Sequence, residues 1–334
     1  MRMAAAGAMR GMSPALKREL PYAFIVGCPR SGTTLLQRML DHHPKLAVAN
    51  DTHFIPRVVD PDGGDVALSP ELVDRVLDYH RFGRLGLDEA AVRRAASQTR
   101  TYAEFVGALY AQFGARHGKP LAGEKTPDYV RYLPLLGRLF PWSRVVHIVR
   151  DGRDVALSAL QWAQPDKGPG RFALWPEDPV ALCALWWRWQ VTSGRTGGRG
   201  LGARYQEVRY EDLVARPGET VESICHFLQL PFAPEMLAYH VGRQRVQPGL
   251  SAKKAWLPPT PGLRDWRSQM SERDAEVFEA LAGDLLSSLG YERTTGVPSP
   301  VVAALAQRYQ SWWEAELERR RTKRLAKLGA AARP

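Results

Sequence analysis

The first sustained apolar stretch of the chain, Tyr22-Ala-Phe-Ile-Val26, is a short unbroken run that ends at Gly27 and Pro29. That pattern predicts a buried strand feeding a turn. Immediately beyond it, Leu35, Leu36, Met39 and Leu40 recur at helical spacing over residues 34–42, ahead of Pro44. The succession returns further on: a helical pattern at residues 132–140 leads into the strand-like run Arg144-Val-Val-His-Ile-Val149, the charged turn Arg150-Asp-Gly-Arg-Asp154 and another helix. Repeated strand–turn–helix units predict an α/β fold. Its centre is a mostly parallel sheet of about four or five strands, with a P-loop-like turn and helices on both faces.

Between the two units, residues 70–117 carry helical patterning, including Leu72, Val73, Val76 and Leu77 and then Tyr102, Phe105, Val106, Leu109 and Tyr110. Residues 163–179 have no periodicity but hold Pro165, Gly168, Pro169, Gly170, Pro176 and Pro179, which predicts a long loop of the kind that covers or lines a binding site. A Trp-rich helix (Trp186, Trp187, Trp189) follows. After it come a strand at 205–210, a helix at 218–228, a Pro-rich turn at 258–262 and a helix at 271–289. The expected division is a flexible N-terminal segment at 1–20, a main domain at 21–300, and a basic amphipathic C-terminal helix at 301–334. Leu305, Tyr309, Trp312, Trp313 and Leu317 form the apolar side of that last helix.

With 334 residues, 45% apolar and 24% charged, the chain can bury one large core. A formal charge of +11 raises the question of nucleic acid, and its placement answers against it. Residues 301–334 hold eight Lys/Arg against three Glu, and residues 1–20 four against one, so eight of the eleven net charges lie in the tails. The remainder suits a site for a polyanionic cofactor, and no nucleic-acid partner is expected. The C-terminal helix suits packing on the body, a homo-oligomer contact, or peripheral contact with an anionic membrane. Cys28, Cys183 and Cys225 lack paired spacing, which predicts free thiols and no metal site. With no apolar run of about 18 residues and no signal-like core, a cytoplasmic location is expected.

Gly27-Cys-Pro-Arg-Ser-Gly-Thr-Thr34 sets two glycines five apart between strand and helix, the spacing of a phosphate-binding loop. Backbone N–H groups in such a loop converge on an anion, and the helix N-terminus adds its dipole. A P-loop kinase would carry Lys at position 33, where Thr33 stands, and the cation inside this loop is Arg30. An ATP-dependent phosphotransferase is therefore the alternative reading rather than the first.

Pro29-Arg30-Ser31-Gly32-Thr33-Thr34 resembles the 5′-phosphosulfate loop of sulfotransferases that use 3′-phosphoadenosine 5′-phosphosulfate (PAPS). The similarity continues through Arg38-Met-Leu-Asp41, His43-Pro44 and Thr52-His-Phe-Ile-Pro-Arg57, closest to the tyrosylprotein sulfotransferase-like branch. Val149-Arg-Asp-Gly-Arg-Asp-Val-Ala-Leu-Ser158 resembles the family's second motif. The resemblance spans roughly residues 22–290 and implies PAPS as co-substrate with no metal required. It places Arg30, Ser31, Gly32, Thr33 and Thr34 on the 5′-phosphosulfate and Arg150 and Ser158 on the 3′-phosphate. It also puts Tyr210, in Val208-Arg-Tyr-Glu-Asp-Leu-Val214, at the nucleotide. Arg264, with Arg267 nearby, belongs to a late segment, Gly262-Leu-Arg-Asp-Trp-Arg267, that closes over it; Lys253 and Lys254 are rival ligands.

The implied reaction moves a sulfonate onto an acceptor hydroxyl, which requires in-line alignment and fixed cations at the leaving phosphate. Arg30 and Lys125, in Gly123-Glu-Lys-Thr-Pro-Asp128, match the family's cations. The family's catalytic Glu aligns with Asp51, one methylene shorter, and His53 is the rival base. The expected acceptor is a small molecule or glycolipid, with phenol, alcohol, sugar and peptide tyrosine all open.

Overall fold

Five strands form one parallel sheet in the order β2-β3-β1-β4-β5: β1 (Ala23–Val26), β2 (Leu46–Asn50), β3 (Leu121–Lys125), β4 (Arg144–Val149) and β5 (Tyr205–Arg209). The structure is a computed structural model and describes residues 19–162, 168–172, 177–241 and 264–331. Strands β1, β4 and β5 lie where the apolar runs predict them, except that Tyr210 passes from the strand to the following helix. β2 and β3 carry no such signal. Leu-Ala-Val-Ala-Asn and Leu-Ala-Gly-Glu-Lys are poor in β-branched and aromatic residues, and they become strands because the flanking sheet receives them. Gly123 is required for that contact, since a Cβ there would stand 2.6 Å from the Ala23 carbonyl oxygen on β1.

The twelve helices, among the described residues, are α1 (Thr33–Asp41), α2 (Pro70–Leu77), α3 (Glu89–Ser97), α4 (Tyr102–Arg116), α5 (Leu133–Leu139), α6 (Gly152–Leu160), α7 (Pro179–Arg199), α8 (Tyr210–Ala215), α9 (Pro217–Phe227), α10 (Trp266–Gln269), α11 (Glu272–Ser288) and α12 (Pro300–Ala331). Alternation along the strands sends successive side chains to opposite faces. Ile25, Val48, Val146 and Ile148 pack under α1 and α9, whereas Phe24, Val26, Ala47 and Ala49 pack under α4 and α5. A third cluster joins α6, α7, α11 and α12. Helices therefore cover both faces, as the strand–turn–helix repeat predicts.

Helix α12 lies on α7 and α11, and its apolar side is taken up by the body: Val302, Ala306, Tyr309 and Trp313 are buried, with Leu305, Trp312 and Leu317 partly so. Among the described residues no helix is long and apolar enough to cross a membrane. The Pro-rich turn at 258–262, Lys253, Lys254, residues 1–18 and parts of the loop at 163–179 lie outside the described residues.

One fully buried cation ties this third cluster to the sheet. Arg153, near the start of α6, donates to both carboxylate oxygens of Asp151 (3.0 and 2.8 Å), to Glu279 of α11 (2.6 Å) and to the Glu292 carbonyl (2.8 Å), while Trp266 stacks at 3.5 Å from its guanidinium carbon. Glu279 also receives the backbone N–H groups of Thr294 and Thr295. Every charge in this group has several partners, the condition under which buried ions are tolerated. Removing the central one strands the rest, so Arg153→Ala should lower unfolding stability by about 3–5 kcal/mol, measured by urea denaturation. Glu279→Gln should cost less, because the threonine N–H groups keep an acceptor.

Candidate active site

The loop joining β1 to α1 is shaped by three backbone positions of positive φ, Gly27 (155°), Arg30 (81°) and Gly32 (91°). Gly32 has a second constraint: a Cβ would fall 2.3 Å from Cδ2 of Tyr210, so only glycine lets the loop pass beneath that ring. Gly32 is also the N-cap of α1 and offers no side chain to its first turn, which leaves N–H groups facing the loop. Ser31 Oγ is buried and has no hydrogen-bond partner among the described residues.

Three guanidinium groups gather beside this loop. Arg30 Nε donates to Ser158 Oγ at 2.9 Å and lies 5.7 Å from the Trp162 ring centre. Burial and then the charges of Arg264 and Arg150 depress the Arg30 pKa, so the three stand within one another's field. Arg150 lies 4.3 Å over the Tyr210 ring and donates to Asp154 at 3.1 Å, while its Nε is buried with no partner among the described residues. Arg264 donates to Gln161 at 2.6 Å. By its contacts the Arg30 side chain thus joins Ser158 and Arg150. Arg267 turns away to Glu292 at 3.0 Å.

A second group lies at the ends of β2 and β3. Lys125 is 1% exposed and donates to Asp51 Oδ1 at 2.9 Å and to Thr34 Oγ1 at 3.4 Å, which joins the strand end to the first turn of α1. The other Asp51 oxygen lies 3.6 Å from Arg84. Burial raises the Asp51 pKa, but Lys125, His53 and Arg84 outweigh it and hold the carboxyl below its ordinary value. His53 is pushed down to about 4 by burial, against the pull of Asp128 and Asp51, and is therefore neutral at pH 7.

Asp51 and His53 both have positive φ (58° and 60°), a conformation that costs energy away from glycine. The surroundings impose it. The Asp51 N–H is held by the Lys125 carbonyl at 2.7 Å, the Thr52 N–H by Glu124 at 3.1 Å, and the Ile55 N–H by Tyr129 OH at 3.1 Å. Glu124 is fully buried, accepts from Tyr110 OH at 2.7 Å and from the Thr126 hydroxyl, and its pKa is raised by desolvation.

Beyond His53 the charge changes sign again. Asp128 pairs with Arg131 at 3.3 Å; burial works against its ionisation, yet the charges of Arg131, His53, Arg57 and Arg171 hold it far below the usual carboxylate range. Gln190 donates to it at 3.2 Å, and Arg131 lies 4.5 Å over Trp189.

The structure thus collects the sequence-derived residues into two groups, Arg30, Ser158, Arg150, Tyr210 and Arg264 in one and Lys125, Thr34, Asp51 and His53 in the other. Sequence reasoning missed Glu124, Asp128, Arg131 and Asp154. Asp154 had a signal in its i,i+4 spacing from Arg150, and Arg131 in its i,i+3 spacing from Asp128. Glu124 had none, because β3 itself is not legible.

A family model described as the sulfotransferase family matches residues 21–234. Protein-tyrosine sulfotransferase 1 of Danio rerio is 26% identical over 310 residues, covering 88% of this chain and 80% of the relative. Nodulation protein NoeE of Sinorhizobium fredii is 28% identical over 322 residues, covering 87% and 73%. Among solved structures, the sulfotransferase domain from the Synechococcus PCC 7002 olefin synthase is similar with a TM-score of 0.53 and 24% identity, covering 84% of this chain and 98% of that one.

His53 and His147, the latter buried and lowered to about 3 by desolvation, both have native pKa values below the 6.5 of a free imidazole. The unfolded chain takes up protons first, so this contribution to stability is complete above pH 6.5 and is lost as pH falls toward 4 and then 3. The His53 Cε1–H resonance should accordingly titrate near 4 by NMR, and Asp51→Asn should move it lower still.

Proposed function

Because the chain belongs to the sulfotransferase family, we propose that it transfers the sulfonate of PAPS to a hydroxyl acceptor by in-line displacement. The observation that carries the donor assignment is the crowding of Arg30, Arg150 and Arg264 beside a helix N-terminus. The partnerless buried atoms Ser31 Oγ and Arg150 Nε stand with them. Like charges held together and buried donors left over are costly unless an anion completes them. A ligand with phosphate at two places fits that donor set. Arg150, Ser158 and Arg264 would hold the 3′-phosphate, Tyr210 the nucleotide, and Ser31 to Thr34 the phosphosulfate. Arg30 can serve either end by exchanging its bond to Ser158. The family match, with Thr33 and the three arginines, sets aside the P-loop phosphotransferase.

Lys125 is the cation placed to stabilise charge on the leaving oxygen, since it already spans Thr34 of the loop and Asp51. Asp51 is our choice of base: it is ionised, touches Lys125, and sits between the loop and His53. When Lys125 turns to the phosphate, Asp51 loses the ion pair that keeps its basicity low and becomes a better proton acceptor at the moment one is needed. His53 then forms part of the acceptor wall, backed by the buried Tyr129, whose ring centre is 6.4 Å away. We propose a phenolic acceptor, either a small phenol, in keeping with the expected small-molecule substrate, or a tyrosine. The relatives named as protein-tyrosine sulfotransferases support it.

Calorimetry should show 3′-phosphoadenosine 5′-phosphate (PAP) binding without Mg²⁺. Arg150→Ala should weaken PAP strongly while leaving the affinity for a nucleotide lacking the 3′-phosphate unchanged; equal losses would take Arg150 off that phosphate. With labelled PAPS and a panel of phenols, glycolipids and tyrosine peptides read by mass shift, Asp51→Asn should cost about 10²- to 10⁴-fold in turnover. His53→Gln should cost less, and the reverse order would make His53 the base.

A further inference from the structure

Within the loop at 163–179 the described residues include a 3-10 turn, Gly168–Phe172, and α12 holds it. Phe172 is 1% exposed, with its ring centre 4.4 Å from that of Trp313 on α12 and 5.9 Å from that of Trp189 on α7. Arg320 of α12 covers the outer side, 4.2 Å from the Phe172 ring centre, and donates to the Arg171 carbonyl at 2.8 Å. Arg320 is itself anchored by Glu316, a carboxylate only 4% exposed that Arg319 also grips at 2.6 and 2.7 Å. Arg171 is itself exposed, and the turn that carries it, pinned at its backbone in this way, abuts the wall beyond His53 through Phe172 and Trp189, where the charge of Arg171 acts on Asp128. Trp189 links the two sides, touching Phe172 on one and Arg131 on the other.

We propose that α12 is a working part of the acceptor site: through Trp313 and Arg320 it fixes Arg171, a specificity-determining residue that sets the charge of the acceptor wall. Arg320 is a positioning residue, acting through Phe172 and the Arg171 carbonyl. The inference rests on the sulfotransferase reading and extends it to a helix that lies outside the matched residues 21–234. Arg57, Arg131 and Arg171 together outnumber Asp128, so the wall discriminates acceptors by charge, with Arg171 the member whose place depends on α12.

Two phenols of similar size and opposite charge, 4-hydroxyphenylacetate and tyramine, read this directly. The ratio of their kcat/KM values should favour the anion in the wild type. It should fall about tenfold in Arg171→Gln, the worth of one partly screened charge at short range. Arg320→Ala, which leaves Glu316 paired with Arg319, should produce a comparable fall, expressed in KM, with PAP affinity intact. Arg320→Lys keeps the charge but not the planar fork that spans ring and carbonyl, and should behave like Ala. A wild-type ratio in Arg320→Lys would reduce Arg320 to a charge and overturn its positioning role. An unchanged ratio in Arg320→Ala or Arg171→Gln, or turnover of neither phenol by a protein that binds PAP, would overturn the proposal. Loss of PAP binding by the wild type would instead remove the sulfotransferase reading beneath it.

Discussion

Like charges crowded at the C-terminal edge of a parallel sheet are the constraint around which this molecule is arranged. Arg30, Arg150 and Arg264 arrive from three separate stretches of chain, after β1, after β4 and just before α10, and each is held by a neutral or acidic neighbour rather than by distance from the others. The arrangement is stable only because the scaffold behind it is rigid. Arg153, with its carboxylates and the stacked Trp266, fixes the start of α6, and α6 carries Asp154 and Ser158 to the arginines. Part of the folding energy is thus committed to holding a charge distribution that an anionic ligand would relieve.

The same logic operates in reverse at the ends of β2 and β3. There the cost lies in the backbone, in two residues forced to positive φ, and it is met by Glu124, Tyr110 and Tyr129 from the opposite face of the sheet. Strand alternation makes this possible. Glu124 reaches toward α4 and Lys125 toward α1, so adjacent residues of one strand serve as support for the turn and as the cation within the site. A carboxylate bound to a lysine is a poor base until that lysine finds a better anion, and in the proposed mechanism this couples donor binding to the readiness of Asp51.

The proposed acceptor wall draws on a third region that the sheet does not supply. Asp128 and Arg131 come from the turn after β3, Trp189 and Gln190 from α7, and Arg171 from a short turn braced by α12. The aromatic ladder from Trp189 through Phe172 to Trp313 gives a surface helix a route to the site. The basic C-terminal tail, which holds five of the eleven net charges, is in part engaged in this bracing, with Arg319 and Arg320 on Glu316 and Arg308 on Glu177.

Sequence alone determined the parts whose physics is local. A strand, a glycine-bearing turn and a helix declare themselves by apolar period and by the residues a turn demands, so β1, β4, β5, α1, the anion-binding loop and the Arg150 motif were all legible, as was the amphipathic C-terminal helix. Asp51, His53 and Lys125 could be named, but not their relation. Only the tertiary structure decided that Lys125 pairs with Asp51, that Arg30 leans toward Ser158, and that Glu124 underwrites the strained turn. For Arg30 and Ser158 the reason is the pairing of β1 with β4; for the other two it lies in β2 and β3. Strands β2 and β3 have little propensity of their own and exist because β1 and β4 hold the sheet open for them, so the contacts they make are fixed by pairing across roughly a hundred residues of chain. Long-range pairing leaves no periodic trace in sequence, and the chemistry of this site is written mainly in such pairs.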